Sequence, residues 1–165
     1  MDIIIIKETV ILETGGAIKN ILEKNDNKPI IAINGDSLII PLKQVSPLSL
    51  LIKKFNANTM DFLLLLDDFK NSIGYYGKGD FSFSSNDAPS RIIRNMNNDF
   101  AYTGWQILNP NAVHKINKNV FSLNYCYNKA ITENTIWGMI NTQKWLHIGT
   151  INALNNANRW LENYK

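Results

Sequence analysis

The residues best suited to chemistry lie in one stretch, ILETGGAIKNILEKNDNKPIIAINGD, residues 11–36, where a Gly-Gly pair opens a helix and an apolar strand then ends on an acidic residue. Gly15 and Gly16 carry no side chain at a helix start, so backbone N–H groups there can approach a base or a phosphate without steric cost. Asn34-Gly35-Asp36 falls just beyond the carboxyl end of the strand. Open α/β sheets bind ligands at that edge, and a lone carboxylate there can hold Mg2+ between phosphate oxygens. Each half also has an ordinary meaning, since Gly-Gly before a helix serves as a loop and Asp after a strand forms turns.

The elements that must position these residues follow from the hydrophobic pattern. Asp2 to Ile6 reads as a short β-branched strand. A helix from Gly15 to Glu23 places Ile18, Ile21 and Leu22 on one face. Pro29 to Ile33 reads as a fully buried strand. Ser46-Pro47 starts a helix with Leu48, Leu51, Ile52 and Phe55 on its buried side, and Asp61 to Leu66 is continuously apolar, as a central parallel strand is. Strand, helix, strand, helix, strand predicts a right-handed parallel α/β sheet. Shorter strands follow at 80–84, 91–94 and 99–108. A helix over 121–132 carries Leu123, Tyr127, Ala130 and Ile131 on its apolar side, and 135–140 is a further strand. Trp145 to Thr150 is expected as a connection. Thr150 caps a last helix with Ala153, Leu154, Ala157, Trp160 and Leu161 on one side.

The 165 residues suffice for one domain with a real core, here 1–165, and are too few for two. Hydrophobic residues are 45% and charged ones 19%, an ordinary globular balance. Seventeen basic against 14 acidic residues give +3 with no long basic run, so charge offers no support for nucleic acid binding. Cys126 is the single cysteine, which excludes an intrachain disulfide and points to a reducing compartment. Asp2, Lys7, Glu8 and Glu13 interrupt the N-terminal apolar run before it reaches membrane-spanning length, and a cytoplasmic protein is expected. The abundance of Asn, Ile and Lys, with Asn clusters at 95–98 and 155–158, reads as codon bias from an AT-rich genome, of a kind often found in host-restricted bacteria, rather than as a functional signal.

Five stretches, taken in order, carry a resemblance: ETGGAIK with PIIAINGD, GKGDFSF at 77–83, YTGWQILNP at 102–110, FSLN at 121–124, and WLHIGT followed by a helix. Together they resemble the sugar-phosphate nucleotidyltransferases, the group that holds mannose-1-phosphate guanylyltransferase and N-acetylmuramate-1-phosphate uridylyltransferase. The resemblance implies a Rossmann-like nucleotide-diphospho-sugar transferase fold, α/β, with a mixed, mainly parallel sheet flanked by helices. Full-length members begin with a strand and a glycine-rich loop, G-G-x-G-x-R-x-x-P-x-T, with a lysine further on. Nothing in this sequence matches either, so the chain is expected to be N-terminally truncated, holding the C-terminal two thirds or more of the family domain.

In the family, NTP and a sugar 1-phosphate give an NDP-sugar and pyrophosphate, supplying precursors of cell-wall or surface polysaccharides. That in-line transfer needs positioned anions, Mg2+ and basic groups, and no side-chain nucleophile. The resemblance assigns Glu13, Thr14, Gly15, Gly16, Asn34 and Gly35 to the nucleotide, and Gly79, Asp80, Tyr102, Thr103 and Gly104 to the sugar phosphate. Asp36 becomes the catalytic metal ligand. His147 stands where the family carries Asp in W-x-D-x-G-T, a second metal contact for which imidazole is a poor replacement. Expected partners are a nucleoside triphosphate, a sugar 1-phosphate, and a separately encoded N-terminal fragment or a second copy to cover an open sheet edge. Without the glycine-rich loop, the expectation also includes a remnant without turnover that at most binds sugar phosphate or nucleotide.

Overall fold

The computed structural model describes residues 2–22, 28–42, 44–70, 72–85 and 89–164. In chain order its elements are α1 (Glu13–Leu22), β1 (Ile30–Ile33), β2 (Ser37–Ile40), α2 (Pro47–Lys54), β3 (Phe62–Asp67), β4 (Ser82–Phe83) and β5 (Ser90–Ile93). Then come β6 (Ala101–Leu108), α3 (Asn111–His114), α4 (Leu123–Thr132), β7 (Ile136–Ile140), β8 (Lys144–His147) and α5 (Ile151–Asn163). The expected helix end at Glu23 lies outside the described residues.

Every residue of β3 is buried. Successive strand side chains point to opposite faces, so Phe62, Leu64 and Leu66 enter one core and Leu63 and Leu65 the other. The first core is closed by α1, α3 and α4 through Ile18, Leu22, Val113, Leu123, Cys126, Tyr127 and Ala130. The second is closed by α2 through Leu51, with Met60, Ile107 and Met139. A strand covered on both faces has no reason to alternate polar residues, which is why FLLLLD reads as a continuous apolar run.

The main sheet runs β1-β6-β3-β7-β5-β4, and a separate ribbon pairs β2 with β8. β1, β3, β4 and β7 share one direction, but β6 is inserted antiparallel between β1 and β3, so only β3 and β7 are parallel neighbours.

Several expectations fail, among them the buried placing of Ile52 on α2, which is 56% exposed. Residues 2–8 form no strand, and Ile3, Ile4 and Ile5 are 79–89% exposed; β-branching does not make a strand without a neighbour to take its hydrogen bonds. β1 is not fully buried but lies at the sheet edge, with Ile30 and Ala32 packed on the core and Ile31 and Ile33 exposed. Trp145 to Thr150 is not simply a connection, because 144–147 is strand β8, held by SLII of β2.

Candidate active site

The site is organised by an irregularity in β6. Leu64 pairs with Gln106 and Leu66 with Tyr102, so three residues of β6 stand opposite the single Leu65. The extra residues form a bulge, and Gly104 takes φ +87° within it. The Thr103 hydroxyl donates to the Leu65 carbonyl at 2.9 Å, replacing the ladder bond the bulge removes. The displaced carbonyls turn outward. Asn34 N–H donates to Gly104 O at 2.9 Å, and the Ser37 hydroxyl donates to Thr103 O. The bulge thereby anchors both ends of the Asn34–Ser37 turn that carries Asp36.

The β2–β8 ribbon fixes the other side of that turn. Ser37 is the cross-strand partner of His147, the Trp145 indole donates to the Ser37 hydroxyl at 3.1 Å, and Ile148 N–H donates to Asp36 O at 2.8 Å. The Asp36 carboxylate therefore lies 3.9 Å from Nδ1 of His147, both side chains partly open to solvent. Gly149 completes the corner: a Cβ there would sit 2.9 Å from the Asp36 carboxylate and 3.2 Å from the imidazole. His147 is seated against the rings of Trp145 and Tyr75, at 5.9 and 6.3 Å between centroids.

A lone carboxylate at such a corner suits Mg2+. That ion accepts one or two carboxylates, fills its octahedron with water and phosphate oxygens, and avoids nitrogen. Asp36, with open space kept by Gly149, fits as a single ligand. His147 does not fit. Among the described residues no three His, Cys, Asp or Glu side chains converge on a metal position.

Beside this corner is a cleft of about 280 Å3 that brings together Thr14, Asn34, Asp80 and Tyr102 from the sequence assignments. Asp80 is held at its rim by Tyr102 N–H, which donates to Oδ2 at 2.9 Å. Gly79, at φ +81°, passes so close to the Asn98 carbonyl that a Cβ would meet it at 2.6 Å, so its glycine serves the turn that presents Asp80. Sequence reasoning missed the other residues of the same cleft, among them Arg94, Gln106, Asn124 and Tyr127. Only the alternation of β6 could have exposed Gln106; Arg94 and Asn124 are far apart in sequence and meet only through the packing of α4 on β5.

Other assigned residues have structural duties. Gly15 and Gly16 lie inside α1, and both N–H groups donate to Phe121 O at 3.0 and 3.2 Å. Those N–H groups are therefore taken, and the missing side chains make room for Phe121 and Asn119. Thr103 is buried, with its hydroxyl on Leu65, and Gly104 shapes the bulge. Glu13 is exposed at φ 58°, and Gly35 is exposed in the Asp36 turn. Burial pushes the Tyr127 and Tyr102 phenols up, and the Tyr127 hydroxyl donates to Gln106 Oε1 at 3.0 Å.

No family model matches the chain, and no curated protein does. Solved structures do. A UDP-glucose pyrophosphorylase complexed with UDP-glucose superposes at TM-score 0.73 with 13% identity over 96% of this chain. HddC from Yersinia pseudotuberculosis gives TM-score 0.66 and 18% identity over 96%, and the inositol-1-phosphate CTP transferase from T. maritima 0.66 and 17% over 95%. This chain spans 65%, 65% and 64% of those chains, respectively. The likenesses show the fold, an α/β sheet flanked by helices of the kind that sugar-phosphate nucleotidyltransferases carry. No described helix is long and apolar enough to cross a membrane.

Proposed function

We propose that this chain carries the sugar-phosphate side and the metal corner of a nucleotidyltransferase that joins a nucleoside triphosphate to a sugar 1-phosphate with release of pyrophosphate. The observation that carries the reading is the single turn that joins the two features: Asn34 lines the cleft while Asp36, two residues on, faces His147 and Gly149. A ligand in the cleft would thus place its anion beside the one suitable carboxylate. Mg2+ bound there supplies charge neutralisation of phosphate oxygens. Asp36 holds it, Gly149 leaves it room, and His147 contacts phosphate rather than metal. Asp80 and Asn34 orient the sugar hydroxyls, and Thr14 meets the nucleotide from the start of α1.

The triphosphate grip, in this reading, is supplied by a segment outside this sequence. What favours that arrangement is the outer edge of β1, which no other described strand pairs. Beside it an apolar groove of about 730 Å3 runs between Ile31, Ile33, Ile18, Ile21, Ile4 and Ile6. Its unpaired backbone and branched side chains suit an added strand. The alternative function is binding of sugar phosphate or nucleotide without turnover. In the first reading the protein works in the cytoplasm on precursors of surface polysaccharide.

The test is pyrophosphate release with Mg2+, UTP or GTP and a panel of sugar 1-phosphates, alongside Asp36→Ala. The assay is run on the chain alone and with a family-type N-terminal segment added. Turnover only with the segment, abolished by Asp36→Ala, is the expected result. Binding of sugar 1-phosphate without turnover in either arrangement would establish the alternative, and absence of both would overturn the proposal.

A further inference from the structure

Tyr75 touches both halves of the candidate site. The chain between β3 and β4 is first tied to β8, where Ile73 N–H donates to Trp145 O at 3.0 Å and His147 N–H donates to Ile73 O at 2.8 Å. A Cβ at Gly74 would overlap the His147 carbonyl, so the loop leaves the ribbon in close contact with it. The next side chain turns inward. The Tyr75 ring packs against Phe69, Trp145 and His147, at 5.4, 5.3 and 6.3 Å between centroids, whereas the neighbouring Tyr76 is 74% exposed.

The far end of the same side chain reaches the rim of the cleft. Its hydroxyl accepts from Gly79 N–H at 3.1 Å. The Asp80 carboxylate lies beside that hydroxyl. Burial and, after it, this neighbouring charge push the phenol up, which keeps the hydroxyl a donor toward Asp80. A Cβ at Gly77 would overlap the Tyr75 hydroxyl, so the loop wraps closely around the tip of the side chain. Asp80 itself is fixed to the sheet, its N–H donating to Phe100 O at 2.7 Å and its Oδ2 accepting from Tyr102 N–H at 2.9 Å. One rigid side chain therefore runs from an imidazole set by the ribbon to a carboxylate set by the sheet. A phenol suits that span because its ring packs at one end and its oxygen hydrogen-bonds at the other.

We infer that Tyr75 is a positioning residue that couples Asp80 to the Asp36–His147 corner, so that a change at the Asp80 carboxylate is felt at His147. The inference rests on the reading of Asp80 as the sugar side and Asp36 as the metal side, and it supplies the link between them. A ligand that engages Asp80 thereby adjusts the corner where the metal sits, and by linkage a metal at the corner adjusts the cleft.

The experiment is a double-mutant cycle on the whole chain, read by NMR of the imidazoles. His147 is one of only two histidines, and His114 serves as the internal control. Spectra are taken at alkaline pH, where an imidazole is neutral, so the signals report ring contacts rather than protonation. Asp80→Asn should shift the His147 ring signals and leave those of His114 in place. Tyr75→Phe keeps the ring but removes the hydroxyl, and in that background the response of His147 to Asp80→Asn should be lost. An unmoved His147 in Asp80→Asn, an equal shift in the Tyr75→Phe background, or a matching shift at His114 would each overturn the inference. The cycle uses neither ligand nor turnover. The coupling can therefore stand where pyrophosphate release fails, and an uncoupled His147 would remove it even where release is found.

Discussion

The Asp36 carboxylate stands 3.9 Å from Nδ1 of His147 because Ser37 and His147 are cross-strand partners in the β2–β8 ribbon. Two residues over a hundred positions apart are set by a two-stranded register, with Gly149 leaving the space between them open. If Asp36 is the sole hard ligand, His147→Asp should tighten Mg2+ by about tenfold, a second carboxylate being the arrangement this ion favours. Titration calorimetry with Mg2+ checks this, and Asp36→Ala should remove measurable binding in both backgrounds.

The β6 bulge should behave as a structural keystone. Thr103→Val keeps the shape of the side chain but leaves the Leu65 carbonyl buried without its donor, so a loss of about 1–3 kcal/mol is expected in urea unfolding. Gly104→Ala should cost about 1–3 kcal/mol for its positive φ, with a further contribution from the Asn34 contact at 2.9 Å. Wild-type stability in both variants would mean that the bulge relaxes freely.

At Gly15 two effects have opposite signs. In an exposed helix interior Gly→Ala gains about 1 kcal/mol of helix propensity. Here the added methyl would enter the Phe121 ring and carbonyl, and overpacking of that kind costs about 1–3 kcal/mol. Gly15→Ala is therefore expected to lower the melting temperature, and to do so equally with and without nucleotide present. A nucleotide-dependent effect would return Gly15 to the binding site.

Burial pushes the Cys126 thiol up to about 11, offset in part by Lys129. The folded state favours the neutral thiol, so its contribution to stability is complete below the free-thiol value of 9.0 and lost as pH rises through about 11. Ellman's reagent at pH 8 should accordingly modify the native protein slowly and the urea-unfolded chain fast. Equal rates would show that α4 opens readily.

Ile31 is 39% exposed on β1, whose outer edge no other described strand pairs. Ile31→Lys should change folding stability by no more than about 0.5 kcal/mol, as exposed positions do, while suppressing self-association. Sedimentation velocity reads the association and thermal unfolding the stability. The same substitution should block stimulation by an added N-terminal segment if that segment pairs with β1.

Much of the architecture was legible from short-range pattern. FLLLLD had to be a strand buried on both faces, Ser46-Pro47 a helix start, and Thr150 a cap, which its hydroxyl is, accepting from Ala153 N–H at 3.1 Å. These depend on a residue and its near neighbours. β2 and β8 were not legible, since SLII and KWLH are too short to register alone and exist as strands only because each supplies the other's hydrogen bonds. Asp2 to Ile6 erred the other way, with high propensity and no partner.

By itself the sequence determined the composition of the candidate site: a carboxylate after a strand, a histidine in WLHIGT, and a second carboxylate after Gly79. Those are local facts of residue type and order, and the fold sets Asp36 and His147 at one corner and Asp80 in the cleft beside it. Only the tertiary structure decided which of the polar groups are spent on the chain itself. A bulge in β6 turned Thr103 and Gly104 into supports, the seating of Phe121 on α1 claimed the N–H groups of Gly15 and Gly16, and the docking of α4 brought Arg94 to a cleft no motif had assigned it. The reason is physical: whether a polar group is spent on the chain or left for a ligand depends on partners distant in sequence, and those are chosen by packing.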